Sequence, residues 1–132
     1  FIFIGRRDRI SIRLLDKIKK LEETTKDYSR INVILCIDYS GRDEIVRAVN
    51  NAVELGNLID EQSFKLLLDT KDIPDPDLVI RTGEEQRLSG FMPFQTTYSE
   101  LYFSEKLFPD FSSQDLATAI EEYKNRHRRY GK

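Results

Sequence analysis

Val33-Ile34-Leu35-Cys36-Ile37 is the most informative stretch for the fold of this 132-residue chain. It is followed by the turn Asp38-Tyr39-Ser40-Gly41 and then by apolar residues at helical spacing from Ile45 to Val53. Five consecutive apolar residues, most of them β-branched or aliphatic, are typical of a strand that is covered on both faces, as in a parallel sheet. The helix that comes next carries an apolar stripe and ends at Gly56, a usual residue type after a helix. We therefore expect a strand, a turn and a helix here, with Cys36 as a small core residue.

The same alternation of short apolar runs and helical patterns continues on both sides of this unit. Apolar runs at 1–4, 78–80 and 101–103 predict three more strands. Helices are predicted from Ser11 to Thr25, from Asp60 onwards, and from Ser112 to the region of Gly131, the last with Leu116, Ile120, Tyr123 and His127 on one face. Strands separated by helices predict an α/β fold with a mainly parallel central sheet flanked by helices. In such sheets ligands bind beyond the carboxyl ends of the strands, so we expect the chemistry in Asp38–Arg42, in Arg81–Ser89 and after Phe103.

Composition excludes several classes of function. The chain has 21 Lys and Arg against 23 Asp and Glu, a net charge of −2, so we expect no broad nucleic-acid binding. One Cys cannot form an internal disulfide, and one His removes most catalytic triads and zinc sites. No apolar run approaches the roughly 20 residues of a membrane span, so we expect a soluble protein.

The chain opens on Phe1-Ile2-Phe3-Ile4, which is apolar at every position and has no polar residue before it. A strand that is covered on both faces rarely begins a natural chain. We therefore expect residues 1–132 to form a single domain that is the C-terminal portion of a larger one, with its N-terminal part missing.

The segment Ile80-Arg81-Thr82-Gly83 continues through Arg87-Leu88-Ser89-Gly90-Phe91 and holds the most informative side chains. Guanidinium groups bind phosphate oxygens bidentately, hydroxyls add donors, and glycine lets the backbone approach closely. This combination after a buried strand indicates recognition of a phosphate or diphosphate. The alternative is an ordinary loop whose arginines pair with Glu84 and Glu85.

These motifs closely resemble the C-terminal signature of the cis-prenyltransferases, the undecaprenyl diphosphate synthase-like enzymes that include dehydrodolichyl diphosphate synthases. The resemblance covers essentially the whole chain, in order, and rests on several further segments: Ile4-Gly5, Tyr39-Ser40-Gly41-Arg42, Gln95, Tyr98-Ser99-Glu100-Leu101-Tyr102-Phe103, Phe108-Pro109-Asp110-Phe111 and Arg126-His127-Arg128-Arg129-Tyr130-Gly131.

The resemblance implies an enzyme that condenses isopentenyl diphosphate with an allylic diphosphate, such as a farnesyl diphosphate-like primer, and releases diphosphate with the help of Mg²⁺. Arg81, Arg87 and Ser89 match the residues that hold isopentenyl diphosphate, and Glu100 matches the metal-associated carboxylate. Arg129 and Gly131 match an Arg-x-Gly tail that reaches across a homodimer to the partner's isopentenyl diphosphate, as a second part of the same binding site. A cytoplasmic location, with peripheral membrane association for product release as a further option, is also implied.

This chain departs from the family pattern at several points. It has Gly83-Glu84-Glu85 where Gly-Gly-Glu is common, Gly90 where Asn or Asp is common, Phe94 in place of Trp, and Asp38 and Ser40 in place of Asn and Gly. The family's N-terminal Asp-Gly-Asn loop, which supplies the essential Asp and holds the allylic diphosphate, occurs nowhere in it. We therefore expect no catalytic residue in residues 1–132 and no condensation by this portion alone.

Two other functions stay open at this stage. One is a non-catalytic subunit of a heteromeric cis-prenyltransferase, which would donate its tail to a partner. Such subunits generally lack the Arg81, Arg87 and Ser89 set, which this chain has. The other is a phosphate-binding module of unrelated function.

Overall fold

A computed structural model describes residues 1–56 and 58–127 of the chain. The predicted tail residues Arg129 and Gly131 lie outside the described residues. The elements are β1 (Ile2–Ile4), α1 (Ile12–Thr25), β2 (Ile34–Cys36), α2 (Gly41–Glu54), α3 (Glu61–Lys65), β3 (Leu78–Thr82), β4 (Glu100–Ser104), a short 3-10 helix (Phe108–Asp110) and α4 (Ser113–Asn125). No helix among the described residues has both the length and the apolar character needed to cross a membrane.

The chain divides into two compact units, Phe1–Pro74 and Asp75–Lys132. Strand β1 pairs in parallel with β2 in the first unit, and β3 pairs in parallel with β4 in the second. Two parallel strand pairs, with α1 between β1 and β2, and helices elsewhere along the chain confirm the predicted α/β class. The assignment of all residues to one C-terminal portion of a domain stays a prediction.

The core of the first unit corrects the predicted apolar stripe of α2. The buried positions of this helix are Gly41, Glu44, Ala48 and Ala52, whereas Val46, Val49 and Val53 are exposed. The helix therefore turns a face of small residues and one carboxylate inward. Hydrogen bonds that hold the Glu44 carboxylate offset the loss of its hydration, which an apolar pattern does not reveal.

Strand β2 is less buried than its sequence predicts. Leu35 is 40% exposed, and Cys36, which was expected in the core, is exposed. Among the described residues β2 has one neighbouring strand, β1, so its other edge has no paired strand. Strand β1 is covered as expected, with Phe3 and Ile4 buried.

The second unit is built on the β3–β4 ladder, which pairs Leu78 with Glu100 and Arg81 with Phe103. Helix α4 begins after the predicted Ser112 with a capping box: Ser112 Oγ accepts from the Asp115 N–H, and the Asp115 carboxylate accepts from the Ser112 N–H. It ends at Asn125, earlier than predicted, so His127 lies after the helix and not on its apolar face.

Candidate diphosphate site

The side chains of Arg81 and Ser89 meet at the carboxyl end of β3. Arg81 is the fourth of the five residues of β3, and its Nη1 donates a hydrogen bond of 3.2 Å to Ser89 Oγ. Arg81 is half-buried and Ser89 is exposed, so the pair faces solvent at one side. A guanidinium beside a hydroxyl at this edge of a parallel sheet offers several donors to an anion.

The loop that follows Arg81 folds back through left-handed backbone conformations at its start and at its end. Gly83, Glu84, Ser89 and Gly90 all have positive φ, at 93°, 65°, 51° and 78°. The Gly83 N–H donates to the carbonyl of Lys106 over 2.8 Å, which ties the start of the loop to the segment after β4. The loop path therefore brings Ser89 back to Arg81 across eight positions of sequence.

Arg87 pairs locally with a neighbouring acid. Its guanidinium forms an ion pair with the Glu85 carboxylate, and its side chain is 64% exposed. The alternative of an ordinary loop, in which the arginines pair with Glu84 and Glu85, therefore holds for Arg87 but not for Arg81. Arg81 bonds to Ser89 and to neither glutamate. An exposed pair of this kind contributes little stability, so an anion can displace Glu85 at small cost.

Glu100 lies at the opposite end of the ladder from Arg81. It pairs with Leu78, three ladder positions before Arg81, which is about 10 Å at the usual rise per residue. Its Oε2 accepts a hydrogen bond of 3.0 Å from Nη1 of Arg126. The ladder of one chain therefore does not bring Glu100 together with Arg81 and Ser89.

A polar network in the first unit was not found from the sequence. Glu44, 1% exposed, accepts from the Tyr39 hydroxyl at 2.6 Å and from the Asp69 N–H at 2.9 Å. The Asp69 carboxylate accepts two hydrogen bonds from Arg47, at 2.8 and 2.7 Å, and one from the Gly5 N–H at 3.1 Å. The network joins the carboxyl ends of β1 and β2 to α2. The only sign of this network in the sequence is Glu44 itself, an acidic residue that helical spacing puts near the buried face of α2.

Burial and the hydrogen bond to Glu44 raise the pKa of Tyr39, so its hydroxyl stays protonated and remains a donor. The neighbouring turn is held from outside as well, because Arg9 donates two hydrogen bonds to the Asp38 carboxylate. Asp38 has a φ of 48°, a conformation that Asn and Asp tolerate better than most residues. The expected crevice segment Asp38–Arg42 is therefore a braced turn.

Comparison with known proteins identifies the family. Residues 1–131 match the prenyltransferase family model described as "Putative undecaprenyl diphosphate synthase". The chain belongs to this family. An isoprenyl transferase from Aquifex pyrophilus is 46% identical over 131 residues, which is 98% of this chain and 57% of the relative.

Solved structures of the prenyltransferase family agree. A probable undecaprenyl diphosphate synthase from Campylobacter jejuni superposes with a TM-score of 0.90 at 38% identity, over 98% of this chain and 62% of that one. Lavandulyl diphosphate synthase from Lavandula x intermedia, solved in complex with dimethylallyl diphosphate, superposes with a TM-score of 0.93 at 39% identity, over 100% of this chain and 60% of that one. The chain thus spans little more than half the length of the family members it matches.

The described residues could supply only part of the ligand set of a metal ion such as Mg²⁺. Residues 1–56 and 58–127 contain no group of three or more His, Cys, Asp or Glu side chains that could hold an ion. Glu100 alone offers one carboxylate, of which Oε2 is engaged with Arg126. Because Mg²⁺ is usually held by one or two carboxylates together with substrate phosphates and water, a single carboxylate suits an ion that arrives with a diphosphate.

A depression of about 460 Å³ lies along α4. Its lining residues are Gln114, Ala117, Thr118, Glu121 and Glu122. Two carboxylates and no cation line it, so it does not suit a diphosphate. The loop after β3, with Arg81 and Ser89, does have donors arranged for an anion.

Proposed function

We propose that this chain supplies the isopentenyl diphosphate site of a cis-prenyltransferase, with Arg81, Arg87 and Ser89 as the diphosphate-binding residues. The observation that carries the proposal is the contact between Arg81 Nη1 and Ser89 Oγ at 3.2 Å, beyond the carboxyl end of β3. Family membership supports it, since the matched proteins are named isoprenyl transferases and diphosphate synthases.

The reaction proposed for the whole enzyme is condensation with an allylic diphosphate. The allylic carbon–oxygen bond breaks and diphosphate leaves, the isopentenyl double bond forms the new carbon–carbon bond, and a proton is lost from the isopentenyl unit. The contribution of Arg81, Arg87 and Ser89 is to neutralise the isopentenyl diphosphate and hold its double bond beside the allylic carbon. The structural neighbour in complex with dimethylallyl diphosphate supports an allylic diphosphate as the second substrate.

Mg²⁺ is proposed as the cofactor, with Glu100 as the carboxylate of this chain that contacts it. When bound, the ion would neutralise diphosphate oxygens and assist departure of the leaving group. Cytoplasmic location, with peripheral attachment to a membrane, belongs to the same proposal.

A homodimer is proposed on the resemblance of the C-terminal tail to the family's Arg-x-Gly motif, which reaches across a dimer. The proposal assigns Arg129 and Gly131 of the tail to the isopentenyl diphosphate held by a second copy of the chain. Sedimentation equilibrium checks this part: a dimer is expected at micromolar concentration, and a monomer at every concentration would contradict it.

Calorimetric titration with isopentenyl diphosphate tests the proposed site. Arg81→Ala is expected to weaken binding about 10- to 100-fold, because hydrogen bonds to charged groups are worth about 1.5–3 kcal/mol. Arg81→Lys should restore little of it, since an ammonium cannot reproduce the planar fork of donors. The matched control is Arg13→Ala, an exposed arginine on α1, which should bind as the unmodified chain does.

Three outcomes would count against the assignment. Equal binding by the Arg81→Ala and Arg13→Ala variants would remove Arg81 from the site. Equal affinity of the unmodified chain for inorganic phosphate and isopentenyl diphosphate would favour the unrelated phosphate-binding module instead. If the unmodified chain does not dimerise with itself but binds a second prenyltransferase chain, the heteromeric subunit is favoured.

A further inference from the structure

The two arginines of the loop after β3 have partners of different charge. Arg81 Nη1 donates to the neutral hydroxyl of Ser89 at 3.2 Å. The Arg87 guanidinium forms an ion pair with the Glu85 carboxylate, and no other acceptor among the described residues contacts it. The loop therefore holds one cation beside a neutral group and the other beside an anion.

This difference decides how each pair responds to a diphosphate. A hydroxyl both donates and accepts, so Ser89 can turn its proton toward an oxygen of the ligand while it still accepts from Arg81. An ionised carboxylate only accepts, so Glu85 has no donor to offer an anion. A diphosphate oxygen bound to Arg87 would lie beside the Glu85 carboxylate and be repelled by it. Glu85 therefore competes with the ligand for Arg87, whereas Ser89 does not compete for Arg81.

The backbone of the loop limits how Glu85 can give way. The Gly83 N–H donates to the Lys106 carbonyl at 2.8 Å, and the Glu84 N–H donates to the Ser104 carbonyl at 3.2 Å. The residue before Glu85 is thus fixed to the end of β4. The Glu85 side chain is 41% exposed, so rotation about its own bonds is enough to break the ion pair and return the carboxylate to water.

We propose that Glu85 is an internal competitor for the diphosphate, whose carboxylate holds Arg87 until a diphosphate oxygen replaces it. Resting on the proposed function, this makes the ion pair and the anion site two uses of one guanidinium. A monoanion gains little from Arg87, because it must displace an acceptor of equal charge. A diphosphate carries more charge and presents several oxygens to the donors, so it displaces Glu85. Glu85 is therefore a specificity-determining residue that favours multiply charged ligands over single carboxylates.

Calorimetric titration with isopentenyl diphosphate measures the competition. An exposed ion pair is worth up to about 1 kcal/mol, which is about fivefold in affinity, so Glu85→Gln is expected to tighten binding about two- to fivefold. The matched control is Glu84→Gln, which removes the same charge from the neighbouring residue; Glu84 is exposed and has no ion pair among the described residues. Its gain should be less than half as large. Titration in EDTA excludes a contribution from a metal held by either glutamate.

A double-mutant cycle shows whether Glu85 acts through Arg87. Arg87→Ala alone is expected to weaken binding about tenfold. In that background Glu85→Gln should change the affinity by less than about 1.5-fold, because the group for which it competes is gone. A gain of the same size in both backgrounds would overturn the inference, since Glu85 would then act only as a distant negative charge.

The carbon chemical shift of the Glu85 carboxylate gives a readout that does not depend on affinity. Addition of isopentenyl diphosphate to the labelled chain should move the Glu85 Cδ signal toward that of a solvated carboxylate, and should move the Glu84 Cδ signal by less. A Glu85 signal that is unchanged at saturation would overturn the displacement of its carboxylate.

The outcomes separate this inference from the proposed function. Weaker binding by Arg81→Ala, together with unchanged or weaker binding by Glu85→Gln, keeps the site and overturns the competition. Equal gains in Glu85→Gln and Glu84→Gln also overturn it, because the overall charge of the loop would explain both. Normal binding by Arg81→Ala rejects the proposed site, and this inference with it.

Discussion

Replacing Gly5 by alanine tests how the end of β1 is packed. Gly5 has a φ of 110°, and a Cβ placed on it would lie 2.2 Å from the Ile37 carbonyl oxygen and 3.1 Å from Tyr39 Cβ. The oxygen is backbone, so it cannot rotate away as a flexible side chain could. The strand end must move by about 1 Å before the methyl group reaches a normal contact distance.

The expected loss follows from the contacts that this movement breaks. Holding alanine at this φ costs about 1–3 kcal/mol. The hydrogen bonds from the Ile37 N–H to the Ile4 carbonyl, at 3.0 Å, and from the Gly5 N–H to Asp69, at 3.1 Å, would lengthen, at about 1 kcal/mol each. A total of about 3–5 kcal/mol is a large part of the 5–15 kcal/mol typical of a folded domain.

Urea unfolding followed by circular dichroism measures the loss, and two glycines of the same chain provide matched controls. Gly56 and Gly90 also have positive φ, at 66° and 78°, but no atom lies within 4 Å of a Cβ at either position. Alanine there should lower the free energy of unfolding by about 1–2 kcal/mol, which is the strain of a left-handed residue without the steric clash. A Gly5→Ala loss equal to that of the controls would refute the packing argument.

Three further predictions concern single side chains. Glu84 has a φ of 65°, so Glu84→Gly should raise the free energy of unfolding by up to about 1 kcal/mol and shift the midpoint of urea unfolding to a higher concentration. A lower midpoint would contradict the strain argument. Hydrogen bonds from Arg7 hold the pKa of Glu22 below its usual value, so this contribution to stability is complete above about pH 5 and is lost as the pH falls through the lowered pKa. Glu22→Gln should therefore flatten the acid limb of a stability curve measured from pH 6 to pH 2, and an unchanged limb would count against it. Glu44→Ala removes the acceptor of the Tyr39 hydroxyl and should lower the free energy of unfolding by about 2–4 kcal/mol, whereas a thermal melt within about a degree of the parent would show that the network is dispensable.

Local patterns predicted the parts of the fold that depend on neighbouring residues. Ser11 caps α1 by accepting from the Leu14 N–H, and Ser112 with Asp115 forms the capping box of α4. These interactions span three positions, so the sequence contains all of their atoms in order. The four strand runs are confirmed for the same reason, since β-branched and aromatic runs favour extended backbone wherever they are covered.

Long-range contacts account for what the patterns did not predict. Hydrophobic spacing places the valines of α2 inward, but Glu44 is buried instead because Asp69, twenty-five positions later, donates a backbone hydrogen bond to it. Cys36 is exposed because the burial of a strand side chain depends on which distant parts of the chain pack on that face of the sheet. Rules based on residue spacing cannot predict either outcome, because the residues responsible lie far away along the chain.

The candidate site divides in the same way. The residue types at Arg81, Arg87 and Ser89 and their order along the chain indicate a diphosphate, and the resemblance of the motifs to cis-prenyltransferases indicates the family. Only the fold brought Ser89 back to Arg81, paired Arg87 with Glu85, and put Glu100 at the far end of the ladder beside Arg126.

Residues close along the chain, and motifs in their order, are enough to predict the alternation of strands and helices, the helix starts and the family. Tertiary contacts set which face of α2 is buried, where α4 ends and which partner Glu100 holds. These outcomes depend on hydrogen bonds between residues about 25 positions apart, from Asp69 to Glu44 and from Arg126 to Glu100. Such bonds form only once the backbone has folded, because closing the chain costs entropy that the completed contacts must offset.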